Sequence, residues 1–323
     1  MKSTKRALTI FSVLVLALAV PALLRADYRV EKHLKLAPGG RLVIESSEGS
    51  ITVTGEPESG ARVIVTSNHD DVEKYLDFRY DETPGEVRIT VRRRDSGWGW
   101  NWGGHHGLNL HLDVTVPEDT EAAVKTGGGG VEVTRLKREA HLDTSGGGIR
   151  ATDLGANLRA HTSGGSIEIE HVAGSAHVDT SGGGIRAGEI GGSLEARTSG
   201  GSIDIREVGA DLLAHTSGGG IRVEGAGGRV EADTSGGSVE VEFARGNSRG
   251  GDVESSGGGV RVRLDRSVNL SLDASASAGS VVSDLPIRVS GTISKSHVVG
   301  TIGSGGPLLR VHSSAGSVRI ESL

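Results

Sequence analysis

Residues 144–161 read TSGGGIRATDLGANLRAH, residues 162–179 read TSGGSIEIEHVAGSAHVD, and residues 180–197 read TSGGGIRAGEIGGSLEAR. The opening Thr-Ser-Gly-Gly recurs at Thr198, Thr216 and Thr234, always 18 residues apart. Thr126-Gly127-Gly128 stands one period earlier, and Ser255-Ser256-Gly257-Gly258 comes 21 residues after Thr234, past an insertion at 245–251. A fixed period near 20 marks a solenoid, in which each unit buries its apolar face only by stacking on its neighbours. Within one unit the apolar positions alternate: Ile167 and Ile169, then Val172, then Ala176, Val178 and Thr180. A period of two broken by glycine corners describes short strands, not helices. No proline falls between Pro117 and Pro286, as a backbone paired on both sides requires. The spacing predicts an all-β parallel β-helix of 18-residue coils. Right-handed winding is the default for parallel crossovers. Eighteen residues also suit three six-residue edges of a left-handed helix, so the handedness stays open.

Charge supports stacking in register. The residue after the first inward Ile or Val is Glu132, Arg150, Glu168, Arg186, Asp204, Arg222, Glu240 and Arg261, with the sign alternating throughout. Coils about 4.8 Å apart would set like charges against each other at this outward position, whereas opposite charges pair. The position before each Thr reads Asp143, His161, Asp179, Arg197, His215 and Asp233, again mostly complementary.

Outside the strict repeat, degenerate copies lie at Ser46–Ile51, Ser277–Val281 and Ser313–Val318. Residues 126–262 are thus expected to form the regular solenoid and 263–323 irregular coils of the same solenoid. Residues 27–125 read as strands with longer connections, near 41–45, 51–55, 62–67, 86–93 and 108–116, with a helical turn within 70–76. This region is expected to form wider opening coils and a cap, because an uncovered first coil presents a sheet edge that invites aggregation.

The N-terminus reads as an address. Lys2, Lys5 and Arg6 precede an apolar run over 7–19, then Pro21 and small residues at Ala22 and Ala26. This is the order of a secretory signal peptide over residues 1–26, with cleavage after Ala22 or Ala26. An uncleaved membrane anchor is the other reading and the only expected route to a membrane. The first 26 residues hold four basic residues and no acid, so their removal takes the formal charge from −6 to −10. An acidic chain without a basic block is a poor nucleic-acid binder.

Composition narrows the chemistry. The 323 residues include 52 Gly, no Cys, and three each of Phe, Tyr and Trp. Disulfides, thiolate metal sites and a cysteine nucleophile are excluded, and the core must come from Val, Ile, Leu and Ala.

The unit Thr-Ser-Gly-Gly-Ser-Ile-Glu-Ile, the lead-in Leu112-Asp113-Val114-Thr115-Val116-Pro117 before a Gly-rich first coil, and the copy from Ser313 to Ile320 resemble the bacterial putative-adhesin family of β-strand-repeat domains of unknown function. The resemblance covers about residues 28–323. It implies an exported β-helical envelope or surface protein and brings no catalytic or ligand residues.

Candidate chemistry is sparse. The Gly-rich runs lead into strands and lack a following Gly-Lys-Ser/Thr, so they do not read as phosphate loops. Half of 18 is the period of a calcium-binding nonapeptide roll, but Ile or Val stands where that roll needs Asp. Gly246-Asn247-Ser248-Arg249-Gly250 fits a nucleophile elbow in letters only, since it falls in the insertion between coils. His161-Thr162-Ser163 and His215-Thr216-Ser217 are phases of the repeat with no exceptional acid. A rank of Thr could order water as ice-binding faces do, but one Thr per coil beside a glycine corner reads as a backbone partner.

One segment breaks the pattern. Trp98, Trp100 and Trp102 are all the tryptophan in the chain, and Gly103, Gly104, His105 and His106 follow. Alternate Trp residues on a strand face one way. They either cover an open end of the solenoid or form a docking point for a glycan, an envelope component or a surface protein. Metal binding by His105 and His106 with His111 is a further option. No catalytic residue and no cofactor are expected. The reading is an exported, non-enzymatic, adhesin-like or envelope-structural β-helix. A polysaccharide-active β-helix enzyme, with acids gathered in one groove, and an end-to-end filament are the alternatives.

Overall fold

The computed structural model describes residues 28–83, 85–94, 108–290 and 293–323. Residues 1–26, expected to be a signal peptide, lie outside the described residues, as do Trp98, Trp100, Trp102, His105 and His106. Each 18-residue unit folds as one coil with two strands, so the three-edged cross-section that the period also permits is not adopted. In the Thr162 coil these are Leu158–Thr162, entering the glycine corner, and Ile167–Val172, leaving it. Strands leaving the corner stack into sheet I and strands entering it into sheet II. Among the described residues, each sheet holds twelve parallel strands, extended by antiparallel ones at one end of sheet I and at both ends of sheet II. At about 4.8 Å per coil the stack is roughly 55 Å long.

Register follows the period. Ile149, Ile167, Ile185, Ile203, Ile221, Val239 and Val260 pair rung on rung in sheet I, and Thr126 to Thr234 in sheet II. All of these side chains point inward and are buried, in one continuous core of thin aliphatic layers. The odd step from Ile169 to Val172 requires one extra residue on the outer side. His171 absorbs it with a φ of 52°, and Asp153 and Arg135 do the same in the two preceding coils at 56° and 57°.

The corner shows why its residue types recur. Thr162 Oγ1 donates to the carbonyl of Gly147 in the preceding coil at 2.7 Å, and Thr144, Thr180, Thr198, Thr216 and Thr234 do the same. The Gly165 amide reaches back to the same hydroxyl. A Cβ on Gly165 would lie 2.1 Å from the Gly147 carbonyl oxygen, so only glycine lets adjacent corners approach this closely.

Both ends depart from chain order. At the N-terminal end the Ser46 coil (Arg41–Ser46 and Ser50–Glu56) lies between the Thr126 coil and the coil formed by Glu86–Arg93 and Leu110–Pro117. The expected width of this region therefore sits in its connections, not in a larger cross-section. Antiparallel strands Ala61–Ser67 and Tyr28–Leu34 close sheet I, and Leu76–Thr83 closes sheet II after a short 3-10 turn at Val72–Lys74. At the C-terminal end the last coil in sequence, Leu308–Ser313 and Val318–Ser322, lies inside the coil that precedes it, Leu270–Ala276 and Val281–Ser283. The copies near Ser277 and Ser313 thus stack in the reverse of their sequence order. The hairpin of Arg288–Val289 and His297–Ile302 then closes sheet II.

Candidate functional site

The outer faces are built from the positions that alternate with the core. On sheet I, Arg150 meets Glu168 at 2.7 Å and Arg222 meets Glu240 at 3.2 Å. Arg186 stands in register between Glu168 and Asp204 without closing an ion pair to a described residue. Glu170 reaches Arg206 two coils away, across Gly188, where any side chain would collide with the Glu170 carboxylate. Three guanidinium groups, from Arg222, Arg261 and Arg263, surround Glu240. They hold its carboxyl below the ordinary range despite its partial burial.

On sheet II, His161 Nδ1 lies 3.1 Å from Asp179, His215 Nδ1 lies 2.6 Å from Asp233, and His177 Nδ1 lies 2.9 Å from Glu195. Burial, reinforced by the Arg197 cation, pushes the His177 imidazole below its usual value. The hydroxyls beside these histidines are committed elsewhere, Thr162 and Thr216 to backbone carbonyls. Thr162 and Thr216 are therefore not presented to these histidines; elsewhere Ser50 Oγ lies 2.8 Å from His111 Nδ1 and Ser275 Oγ lies 2.9 Å from His312 Nδ1. The Thr rank is buried and offers no hydroxyl face to water. Shallow depressions line the strand starts on both sheets, beside Arg159 and His177 on one and beside Glu132 and Arg150 on the other. Their recurrence makes them a property of coil geometry.

The insertion that carries Ser248 is a plug. Asn247 is buried, and its Nδ2 donates to the carbonyls of Ala226 and Gly228. Ser248 Oγ accepts from the Asn269 amide. No strand-to-helix elbow exists here.

Trp98, Trp100, Trp102, His105 and His106 belong to a connection whose two anchors are described. It leaves sheet II at Arg93 and re-enters sheet I at Leu110, at the corner that other coils turn within four residues. Sixteen residues, 94–109, span it here. The Arg94 amide is fixed to the Tyr75 carbonyl and the Asn109 amide to Asn68 Oδ1. His111 is held by Ser50 Oγ of the adjacent coil at 2.8 Å and by Asp113 of its own strand at 2.9 Å, so both ring nitrogens are engaged. Among the described residues no group of three His, Asp or Glu is arranged to hold a metal ion.

The sequence reading missed an aromatic cluster at this end. Tyr28 and Phe78 stack at 6.4 Å, Lys32 Nζ sits 5.0 Å from the Tyr80 ring, and Tyr28 OH donates to Glu73. With Tyr75 they pack against the end of the core. Burial pushes the Tyr80 phenol up to about 12, and burial together with Glu73 raises Tyr28 as well. These residues lie up to 52 positions apart and fall on strands of different sheets, so no local pattern connects them.

Comparison with known proteins adds the family. No curated protein matches the chain. Among solved structures it is similar to a putative cell adhesion protein from Clostridium sporogenes (11% identity, 92% of this chain and 100% of that chain, TM-score 0.25). It is also similar to a putative adhesin from Bacteroides fragilis (11%, 92% and 97%, TM-score 0.34) and to a putative lipid binding protein from Parabacteroides distasonis (11%, 91% and 96%, TM-score 0.35). Likeness at this level carries no argument about what this chain binds. Residues 40–321 match the family model described as Toastrack DUF4097. That span runs from the Ser46 coil at one end of the stack to the intercalated last coil at the other, and the chain belongs to the Toastrack DUF4097 family.

Proposed function

We propose that the protein is an exported, non-enzymatic β-solenoid of adhesin-like or envelope-structural type, which presents the segment bearing Trp98, Trp100 and Trp102 to a glycan or another envelope component. The observation that carries this reading is that the N-terminal end of the core is already covered by Tyr28, Tyr75, Phe78 and Tyr80. A tryptophan cap is then not needed there, which favours docking over closure. The commitment of repeat hydroxyls and imidazoles to neighbouring coils supports a scaffold over an enzyme. Basic Lys2, Lys5 and Arg6 ahead of an apolar run support export. No helix among the described residues is long and apolar enough to cross a membrane.

The test replaces all three Trp with Ala. Indole faces stack on sugars and also sit at lipid headgroups, so the variant is assayed on a glycan array and on vesicles. Loss of binding at an unchanged melting temperature is the expected result. A melting temperature lower by several degrees with no binding change would assign the segment to the cap instead. Periplasmic or extracellular fractionation checks export.

A further inference from the structure

In a solenoid each coil touches only its neighbours, so the last coil is paired on one side and is the first to unravel. Here the last coil in sequence is not the last in space. Leu308–Ser313 pairs with Gly251–Ser255 on one side and with Leu270–Ala276 on the other. Val318–Ser322 pairs with Val260–Leu264 and with Val281–Ser283. Leu309, Val311, Val318 and Ile320 are fully buried, whereas Val282 and Val289 on the outer strands are exposed. We infer that the C-terminal coil is a mechanical lock, which makes the C-terminus a tension-bearing attachment point. This inference rests on strand order and stands apart from the docking reading.

The lock has a latch. After the hairpin that ends at Ile302 the chain must turn back to enter the slot, and it does so at Gly303 and Gly305, whose φ values are 62° and 79°. Ser304 donates through its amide and its hydroxyl to Asn269 Oδ1, at 2.8 and 2.9 Å. The Asn269 amide donates to Ser248 Oγ, and Asn247 ties that segment to the Ala226 and Gly228 carbonyls. The insertion at 245–251 that interrupts the period thereby connects the return turn to the regular body. Extracting the last coil breaks pairing on both sides of each of its strands and opens the interior of the stack. Peeling an outer strand breaks pairing on one side.

Single-molecule pulling on the whole chain tests this, and the absence of native cysteine gives unique handles. One handle is Ser145→Cys, at an exposed corner; the other is either the C-terminus or Ser290→Cys, beside the outer hairpin. The C-terminal geometry is expected to rupture at about twice the force of the Ser290 geometry, because two rows of hydrogen bonds resist instead of one. Hydrogen exchange on the unmodified protein gives a second readout. The Arg319 and Glu321 amides, in the phase that faces Val260–Leu264, should exchange at least about tenfold more slowly than those of Val281–Ser283. Asn269→Ala should speed exchange at Arg319 and Glu321 while leaving Thr144 to Thr234 unchanged. Asn269→Asp, which keeps the acceptor, should restore protection. Equal or lower force at the C-terminus, or exchange at Arg319 as fast as in the outer strands, overturns the lock.

Discussion

The body from Thr126 to Thr234 and the two ends of the stack are made of the same coils but follow different rules. In the body each coil pairs with the coils before and after it in sequence. At both ends one coil is seated out of order; antiparallel strands close both sheets at the N-terminal end and sheet II at the C-terminal end, where sheet I stops at the parallel strand Val281–Ser283. Periodicity thus specifies what a coil is, and the capping strands decide where a coil sits.

Burial gives the sharpest way to separate the regions. Ile185→Asp places an unpaired carboxylate in the middle of the core and should cost about 4 kcal/mol or more, enough to abolish a cooperative melt. Val282→Asp, on the exposed outermost strand, should leave the melting temperature within a degree or two. Equal losses at the two sites would contradict the inward and outward assignment.

Corner geometry is the next test. Gly165→Ala drives a methyl group to 2.1 Å from the Gly147 carbonyl oxygen and should destabilise by about 2–3 kcal/mol. Gly85→Ala, at the N-terminal end, meets no atom within 4 Å and should be neutral. Chemical denaturation of both variants measures the contrast. Thr162→Val removes the donor to Gly147 and should cost about 1–2 kcal/mol. Thr162→Ser should recover most of it, because Ser255 and Ser313 make the same bond near the C-terminal end.

The last coil of the regular body and the N-terminal cap should also loosen at opposite extremes of pH. Arginines hold the folded-state pKa of Glu240 below its unfolded value. The stability this contributes is present above the unfolded value near 4.5 and is lost as pH falls through the lower folded value. Tyr80 is raised from 10.0 to about 12, so its contribution is complete below pH 10 and is lost as pH rises through that interval. Hydrogen exchange at acid and alkaline pH should therefore loosen the Glu240 region first in acid and the Tyr80 cap first in alkali. The smallest effect concerns the outer ladder. Arg150→Glu sets three acids in a row and should cost about 1 kcal/mol or less, diminishing with salt. Arg319→Glu should do the reverse and raise the melting temperature slightly. Stacking out of order has placed Arg319 against Arg261, two like charges on adjacent rungs.

Much of the body was legible in the residues. Ile167, Ile169, Val172, Ala176, Val178 and Thr180 are all buried as their alternation requires, and the strand over 86–93 falls where its pattern places it. Strand order at the ends was not legible. Ser313 and the copy near Ser277 are chemically similar, and nothing local says which stacks first on Ser255. The cap aromatics were hidden for the same reason, because Tyr28 meets Phe78 only after two sheets close around the core. On the candidate site, composition pointed to the Trp segment, and the fold adds that it replaces a four-residue corner at the outermost parallel coil.

The alternating ladder on sheet I carries a consequence for how such a molecule grows. Its charge pattern repeats only every two coils. Removing residues 180–197 alone would bring Glu168 against Asp204, whereas removing 162–197 would bring Arg150 against Asp204 and leave the sequence of signs intact. Length is thereby biased and not fixed: gaining or losing 36 residues, about 10 Å, preserves the ladder, and an odd number of coils leaves a small charge defect at the splice, like the one already present where Arg319 meets Arg261.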